Sequence, residues 1–156
     1  MPDKEFTRLA RLYMDTVFRV AYSYLRSRAD ADDVVQDTLV ALHGCDARFM
    51  SDDHAKRWLI RVAINKCKDL LRRPWRRVEP IDDYENALAF DAPQDEDLFR
   101  SVMALDPKYR APLLLYYREG YSIREIAQLT GEPEATVGTH LARGRKKLKA
   151  LLTEGD

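Results

Sequence analysis

The chain lacks the features that would indicate a secreted, disulfide-bonded or membrane protein. Its two cysteines, Cys45 and Cys67, belong to no CxxC motif and provide no disulfide framework. The longest apolar run extends from Ala111 to Tyr117 and is too short to span a bilayer. The start of the chain does not have the pattern of a signal peptide. We therefore expect a cytoplasmic protein with reduced thiols and no insertion into a membrane.

The sequence also lacks the spacings of common metal sites and catalytic groups. Counted from Asp30, the sixth and twelfth positions are Val35 and Ala41, where an EF-hand loop needs glycine and glutamate. The possible zinc ligands match no common structural site. They are His43, Cys45, His54 and Cys67. No nucleophile with an adjacent base is present, so we expect no metal, no cofactor and no catalytic residue.

Net charge is absent as well, because the 26 basic and 26 acidic residues balance. A zero average by itself argues against nucleic-acid binding, but the charges are segregated. Residues 56–77 contain nine Lys or Arg and one acid, whereas residues 79–97 contain eight acids and no Lys or Arg. The basic block favours a nucleic-acid surface over a merely solvated face. The acidic block, with its two prolines, is typical of an extended linker.

Apolar residues recur at three- and four-residue spacing and predict an all-α fold of two small helical domains. The predicted divisions are a first domain at 1–75, an acidic linker at 76–95 and a second domain at 96–156. Helices of the first domain are expected at about 6–26, 30–43 and 54–73. Asp30 is the expected N-cap of the second helix, and Pro112 is expected to kink a helix of the second domain.

The end of the chain, Tyr121 to Leu152, has the pattern of a helix-turn-helix. Ser122 and Glu125 form a capping box, Gly131 ends the first helix, and Pro133 starts the second. At about 100° per residue the second helix has two stripes. The apolar stripe consists of Val137, Leu141, Gly144, Leu148 and Leu151. The polar stripe consists of Thr136, Thr139, His140 and Arg143, with Lys146 nearby.

Such a two-sided helix suits a DNA major groove, because its small polar groups reach base edges and its cations meet phosphates. An ordinary basic surface helix is the alternative interpretation.

Two helices of the first domain carry charge of opposite sign. The second begins with four acids and no intervening cation, Asp30, Asp32, Asp33 and Asp37. Capping and the helix dipole explain one or two of them, and a protein-binding face is the other interpretation. The third helix has a cationic and polar half, with Trp58 at its boundary. That half consists of Arg57, Arg61, Asn65, Lys68 and Arg72; its apolar half consists of Leu59, Ile60, Ala63, Ile64, Cys67, Leu70 and Leu71.

Two ordered motif blocks extend over nearly the whole chain, from about Leu9 to Leu152. The first is DADDVVQDT followed by KRWLIRVAINKCKDLLRR, and the second is LDPKYRAPLLLYYREGYSIREIA followed by a basic last helix. In content, order and separation they resemble the extracytoplasmic-function group of bacterial RNA polymerase sigma factors. The resemblance implies a region 2-like first domain and a region 4-like second domain.

The resemblance also implies partners and site residues. In this family the first domain binds the β′ clamp of core RNA polymerase and melts the promoter −10 element, and the second binds the β flap and reads the −35 element. An anti-sigma factor is a further implied partner. By motif position, the clamp contact falls on Asp32, Asp33, Val35, Gln36 and Asp37. The −10 contact falls on Phe49, Met50, Arg57, Trp58, Arg61, Asn65 and Lys68. The −35 contact falls on Thr136, Thr139, His140, Arg143, Arg145 and Lys146.

The sequence departs from the family pattern around the helix-turn-helix. Gly138 and His140 stand where Lys or Arg is common, and Glu132 stands where the turn usually buries an apolar residue. We therefore expect a more open turn. Because Gly138 and Gly144 each lower helix propensity by roughly 1 kcal/mol relative to alanine, we also expect the last helix to order fully only on DNA.

Two other functions compete with the sigma-factor interpretation. A stand-alone helix-turn-helix regulator would explain the second domain but gives no purpose to the acidic helix or the basic third helix. A DNA-targeted enzyme, such as a recombinase or nuclease, would need the nucleophile and base that the sequence lacks. The sequence therefore predicts a sigma factor that recognises promoters and has no catalytic activity of its own.

Overall fold

The computed structural model describes residues 1–46, 48–73 and 93–154, with the side chains of 93–96 and 154 left aside. Within these residues all regular secondary structure is helical, which confirms the predicted all-α fold. The chain divides into two compact units, Met1–Glu79 and Pro80–Asp156. Most of the predicted acidic linker, 76–95, lies outside the described residues. Its last part differs from the prediction, because a helix already begins at Pro93.

The first unit consists of three helices, α1 (Asp3–Leu25), α2 (Arg28–His43) and α3 (Asp52–Leu71). All three pack against one another. Their core consists of fully buried apolar side chains, among them Leu9, Val17, Tyr22, Leu25, Leu42, Leu59, Ile60 and Ile64. Tyr22 is fully buried, whereas Tyr13 and Tyr24 of the same helix are only half-buried.

Serines cap α2 and α3. The Ser27 hydroxyl accepts from the backbone N–H of Asp30 at 3.2 Å, so the prediction of Asp30 as the N-cap was wrong. Asp30 instead lies in the first turn, where its charge complements the helix dipole. At the start of α3 the Ser51 hydroxyl accepts from the backbone N–H of His54 at 3.1 Å. Side-chain caps of this kind satisfy backbone donors that a helix start leaves unpaired.

An ion pair ties α1 to the start of α3. The two terminal nitrogens of Arg8, Nη1 and Nη2, donate to the two Asp52 carboxylate oxygens at 3.0 and 2.9 Å, and Arg8 also pairs with Glu5 at 2.7 Å. These hydrogen bonds from Arg8 lower the pKa of Asp52 and of Glu5. The bidentate geometry gives this contact a defined orientation, and it fixes where α3 begins relative to α1.

The second unit contains α4 (Pro93–Met103), α5 (Pro107–Leu113), α6 (Ile123–Thr130) and α7 (Glu134–Glu154). A π-helical turn, Leu114–Arg118, continues α5. Pro112 lies near the end of α5, and the change from α to π geometry follows two residues later. The buried side chains of these helices form the second core; they include Phe99, Met103, Leu113, Leu115, Ile126, Val137 and Leu141.

The helix-turn-helix is built as the sequence predicts. The capping box of α6 is complete, with Glu125 N–H donating to the Ser122 hydroxyl at 3.1 Å and Ser122 N–H donating to the Glu125 carboxylate at 3.0 Å. Gly131 ends α6 with a φ of 78°, a left-handed conformation that glycine adopts without strain. The carbonyl of Pro133 accepts the first backbone hydrogen bond of α7, from Val137.

A close approach to α5 explains one glycine of α7. A Cβ at position 144 would lie 3.1 Å from Leu113 Cδ1 and 3.2 Å from Tyr109 Cβ. Gly144 therefore lets α7 approach α5 closely. The structure has α7 as one continuous helix, Glu134–Glu154, and full ordering of this helix on DNA stays a prediction. Val137, Leu141, Gly144 and Leu148 are buried as predicted, whereas Leu151 is 36% exposed and does not continue the buried stripe.

We predict opposite effects of alanine at the two glycines of α7. Gly138→Ala should stabilise the second unit by roughly 0.5–1 kcal/mol, because alanine is the better helix former and only Ile123 Cδ1 lies near, at 4.0 Å. Gly144→Ala should destabilise it by about 1 kcal/mol or more, because the new methyl group overpacks the contact with Tyr109 and Leu113. Denaturant unfolding of both variants measures the difference. Equal stabilisation by the two substitutions would contradict a packing role for Gly144.

Candidate DNA- and protein-binding surfaces

The exposed side of α2 is acidic. Asp32, Asp33, Gln36 and Asp37 are exposed and Val35 is half-buried, while Ala31, Val34, Thr38 and Leu42 face the core. Arg28 lies 4.0 Å from Asp32. Among the described residues, Asp33 and Asp37 form no ion pair, so their charges are available to a partner.

An apolar side chain on the same surface escaped the sequence analysis. Val40 is 72% exposed and follows Asp33 and Gln36 at helical spacing. An isolated exposed valine needs no explanation, but here it lies beside unpaired carboxylates. The only sequence signal was that Val40 falls outside the buried stripe of α2. Acids around an exposed apolar side chain form a surface suited to a protein rather than to DNA, and we call Asp33, Gln36, Asp37 and Val40 the α2 acidic surface.

The segment before α3 is held against that helix by aromatic contacts. The Phe49 ring lies 5.4 Å from the His54 ring and 5.7 Å from the Trp58 ring, measured between centroids. The backbone N–H of Met50 donates to His54 Nδ1 at 3.1 Å. The Met50 side chain itself is 92% exposed. An anchored backbone therefore presents a flexible apolar side chain to solvent.

The outer side of α3 is cationic and polar. Arg61 and Asn65 are exposed, Trp58 and Lys68 are half-buried, and Arg57 pairs with Asp53 at 2.8 Å. These residues recur every three or four positions, so they share one side of the helix. The opposite side is buried as predicted, except at its end, where Leu70 is half-buried and Leu71 is exposed. The structure thus brings the predicted −10 residues of α3 onto one side of the helix.

The predicted −35 residues of α7 fall into three different surroundings. Thr139, Arg143 and Lys146 are exposed and Thr136 is half-buried, so these four form the outward stripe. Their positions lie within about 80° of one another around the helix. This stripe matches the polar side that the sequence predicts for groove contact.

Arg145 lies elsewhere. It follows Arg143 by two residues, about 200° around the helix. Its guanidinium carbon is 5.7 and 5.6 Å from the ring centroids of Tyr116 and Tyr117. At these distances the cation interacts with the aromatic faces. The structure therefore does not bring Arg145 together with the outward stripe.

His140 lies at the edge between the outward stripe and the core. Its side chain is 20% exposed, and its ring meets Tyr109 edge-on with 6.0 Å between centroids. Its Nδ1 atom lies 3.6 Å from a carboxylate oxygen of Glu132, in the turn before α7. The expected open turn is thus closed: the Glu132 side chain folds back over α7, and its backbone N–H donates to the Thr130 hydroxyl at 3.3 Å. Both residues depart from the family pattern in the sequence, but their contact was not predicted.

An apolar groove on the second unit also escaped the sequence analysis. Its cavity of about 370 Å³ lies between α4, the π-helical turn and the end of α7. It is lined by Leu98, Tyr117, Leu148 and Leu152, with Arg145, Lys149 and Thr153 at its margin. Arg145 thus lines the same groove as Tyr117, whose ring it contacts.

Two further features bear on what the surfaces can do. Across residues 1–46, 48–73 and 93–154, no three His, Cys, Asp or Glu side chains are grouped closely enough to hold a metal ion. No helix in the same ranges is long and apolar enough to cross a membrane. The described surfaces can act through charge, hydrogen bonding and apolar contact.

Comparisons with known proteins assign both units. Residues 9–77 match sigma-70 region 2, and residues 95–148 match sigma-70 region 4. SigM of Mycobacterium tuberculosis, an extracytoplasmic-function (ECF) RNA polymerase sigma factor, is 32% identical over 94% of this chain and 76% of its own length. SigM of Bacillus subtilis, another ECF sigma factor, is 30% identical over 93% of each chain.

Solved structures show the same fold. RpoE of Bartonella quintana, determined with the anti-sigma factor NepR, has a TM-score of 0.71 at 24% identity and covers 96% of this chain and 98% of its own. CnrH, determined with the cytosolic domain of CnrY, has a TM-score of 0.66 at 28% identity and covers 99% of this chain and 92% of its own. The match to region 2 disfavours a stand-alone helix-turn-helix regulator, which would leave the first unit unexplained. The chain belongs to the extracytoplasmic-function group of the sigma-70 family, and its function is that of an RNA polymerase sigma factor.

Proposed function

We propose that this sigma factor contacts the −10 element with α3 of its first unit and the −35 element with α7 of its second. The observation that carries the proposal is that both helices bury one side in a core and turn a polar, cationic side outward. Each unit thus carries its own DNA surface. Because its work is on polymerase and DNA, we propose a cytoplasmic protein, and we assign it no catalytic activity of its own.

At the −10 element, the surface of α3 suits contact with a melted strand. Cations track the phosphates, while apolar and aromatic side chains meet unstacked bases. Met50 is exposed enough to insert beside a flipped base. The segment that carries Met50 is anchored by the ring contacts of Phe49 with His54 and Trp58. Arg61 and Asn65 are exposed further along α3.

We predict that Met50→Ala weakens promoter melting without unfolding the protein. Loss of an apolar contact to an unstacked base should slow open-complex formation roughly fivefold or more. A template with a preformed bubble should restore most of the rate, because the unstacking cost is already met. Leu71→Ala removes another exposed apolar side chain from the same unit and is the matched control. Permanganate reactivity of the −10 thymines measures melting; equal reactivity with both variants would rule out Met50 as a base contact.

At the −35 element, Arg143 is the residue of the outward stripe that can contact guanine with two hydrogen bonds. Such a contact discriminates among bases by roughly 1–3 kcal/mol, whereas a phosphate contact supports all sequences alike. Lys146 lies one turn further along the exposed side and is suited to a phosphate. We propose that Arg145 takes no part and belongs instead to the apolar groove, which we propose as the contact with the β flap of polymerase.

We predict that Arg143→Ala relaxes base preference at one −35 position, while Lys146→Ala weakens all sequences and lowers the salt slope by about 1. Transcription from a promoter library randomised across the −35 element separates the two effects. Arg145→Ala should leave the base preferences unchanged. If Arg143→Ala keeps every base preference and only lowers transcription from all promoters, Arg143 contacts a phosphate and not a base.

We propose the α2 acidic surface as the contact with the β′ clamp. Asp33 and Asp37 are exposed and form no ion pair within residues 1–46, 48–73 and 93–154, and Val40 supplies apolar area next to them. Complementary charge speeds association and selects the partner. We also propose an anti-sigma factor as a partner, because the structural relative RpoE was determined with the anti-sigma factor NepR bound.

We predict that the double variant Asp33→Lys, Asp37→Lys binds core polymerase about tenfold or more weakly. Both side chains are exposed, so helical content should not change. Asp15→Lys is the matched control, because it reverses an exposed acid on α1. Core binding can be measured by fluorescence anisotropy of labelled sigma factor. Equal affinity of the double variant and the wild type would exclude α2 as the clamp contact.

A further inference from the structure

Glu132 and His140 each present a buried polar atom to the other. A carboxylate oxygen of Glu132 and the Nδ1 atom of His140 are shielded from solvent, and neither has a hydrogen-bond partner among the described residues. They lie 3.6 Å apart, a few tenths of an ångström beyond hydrogen-bond distance. A buried acceptor left unsatisfied is costly. The arrangement therefore points to a proton on Nδ1 of His140. A small movement would let this N–H donate a hydrogen bond to the Glu132 carboxylate.

The contact joins two parts of the DNA-reading element. Glu132 belongs to the turn and His140 to the second turn of α7, next to the outward stripe. The edge-on contact with Tyr109, at 88° between ring planes, fixes the plane of the imidazole. Nδ1 points toward the turn, and a fifth of the side chain stays exposed. The ring is thus oriented from two sides, by packing and by a carboxylate.

A carboxylate beside one ring nitrogen of a histidine determines whether the other nitrogen donates or accepts a hydrogen bond. When Nδ1 carries the proton and donates to Glu132, Nε2 has a free lone pair and is an acceptor. An acceptor facing the major groove pairs with an exocyclic amino group, which adenine presents at N6 and cytosine at N4. The N7 and O6 atoms of guanine are acceptors and do not pair with it.

We propose that Glu132 is a positioning residue for −35 recognition. It holds the proton of His140 on Nδ1 and so makes Nε2 an acceptor that selects adenine or cytosine at one promoter position. The assignment rests on the proposed contact of α7 with the −35 element and adds to it the base class that one residue selects. His140 is the residue that meets the base, and Glu132 acts through it.

The test uses holoenzyme reconstituted from the full chain and core polymerase, with a promoter library randomised across the −35 element. The wild type should prefer adenine or cytosine at one position, by roughly tenfold over guanine. Glu132→Gln keeps the size of the side chain but no longer fixes the proton on Nδ1, because an amide can both donate and accept. Its preference at that position should fall to within about twofold, with the other positions unchanged. His140→Ala should lose the same preference.

Two controls separate positioning from a structural or charge effect. Glu134→Gln removes the same charge two residues away, from an exposed site in the first turn of α7, and should leave the base profile intact. Glu132→Gln added to His140→Ala should change nothing further at that position. If Glu132→Gln folds poorly, Glu132→Ala, which removes the carboxylate, should lose the same preference in the folded fraction.

Two results would overturn the assignment. One is a guanine preference in the wild type at the position that His140 controls. The other is a wild-type profile that survives Glu132→Gln while Arg143→Ala still relaxes its own position. If the wild-type holoenzyme shows no base preference at any −35 position, the proposed contact of α7 with the −35 element is itself wrong. Failure of the Glu132 assignment and failure of the proposed −35 contact are therefore distinguishable.

Discussion

Burial of one side of each helix determines which side chains are left for partners. In α3 the side with Leu59, Ile60 and Ile64 is fully buried, and the cationic side is therefore turned outward. In α7 the buried stripe of Val137 and Leu141 has the same consequence for the polar stripe. Because an α-helix repeats every 3.6 residues, neither helix could turn a different set of side chains outward without exposing its buried apolar side chains. Core and function are thus specified by a single periodicity.

Segregation of charge follows from the same arrangement. The first unit presents acids on α2 and cations on α3, and these surfaces suit partners of opposite kinds, a protein and a nucleic acid. The net charge of the chain, which is zero, therefore says little about either surface. In the second unit, α7 separates its cations by direction: Arg143 and Lys146 face outward, whereas Arg145 lies against tyrosines. The position of a charge around a helix therefore matters more than its number.

Much of the fold was predictable from the sequence, because helical periodicity and the capping box are local signals. Helix ends were predicted less well: Leu71 and Leu151 continue an apolar pattern beyond the core and are exposed. Gly144 was interpreted as a weak helix former, because its contact with α5 depends on packing between distant segments. The pairing of Glu132 with His140 was missed for the same reason. Periodicity specifies directions around a helix, but not what lies opposite.

The close approach at Gly144 has a consequence for how such a protein can diverge. Contact with Leu113 and Tyr109 on one side of α7 sets how closely the helix packs against α5, while Thr139 and Arg143 on the other side are exposed. Exchanges at the outward positions can accumulate without repacking the interior, so a duplicated copy can acquire a new set of target sequences while keeping its fold. Gly144 thus keeps the packing contact on the side of α7 opposite to the proposed base contacts.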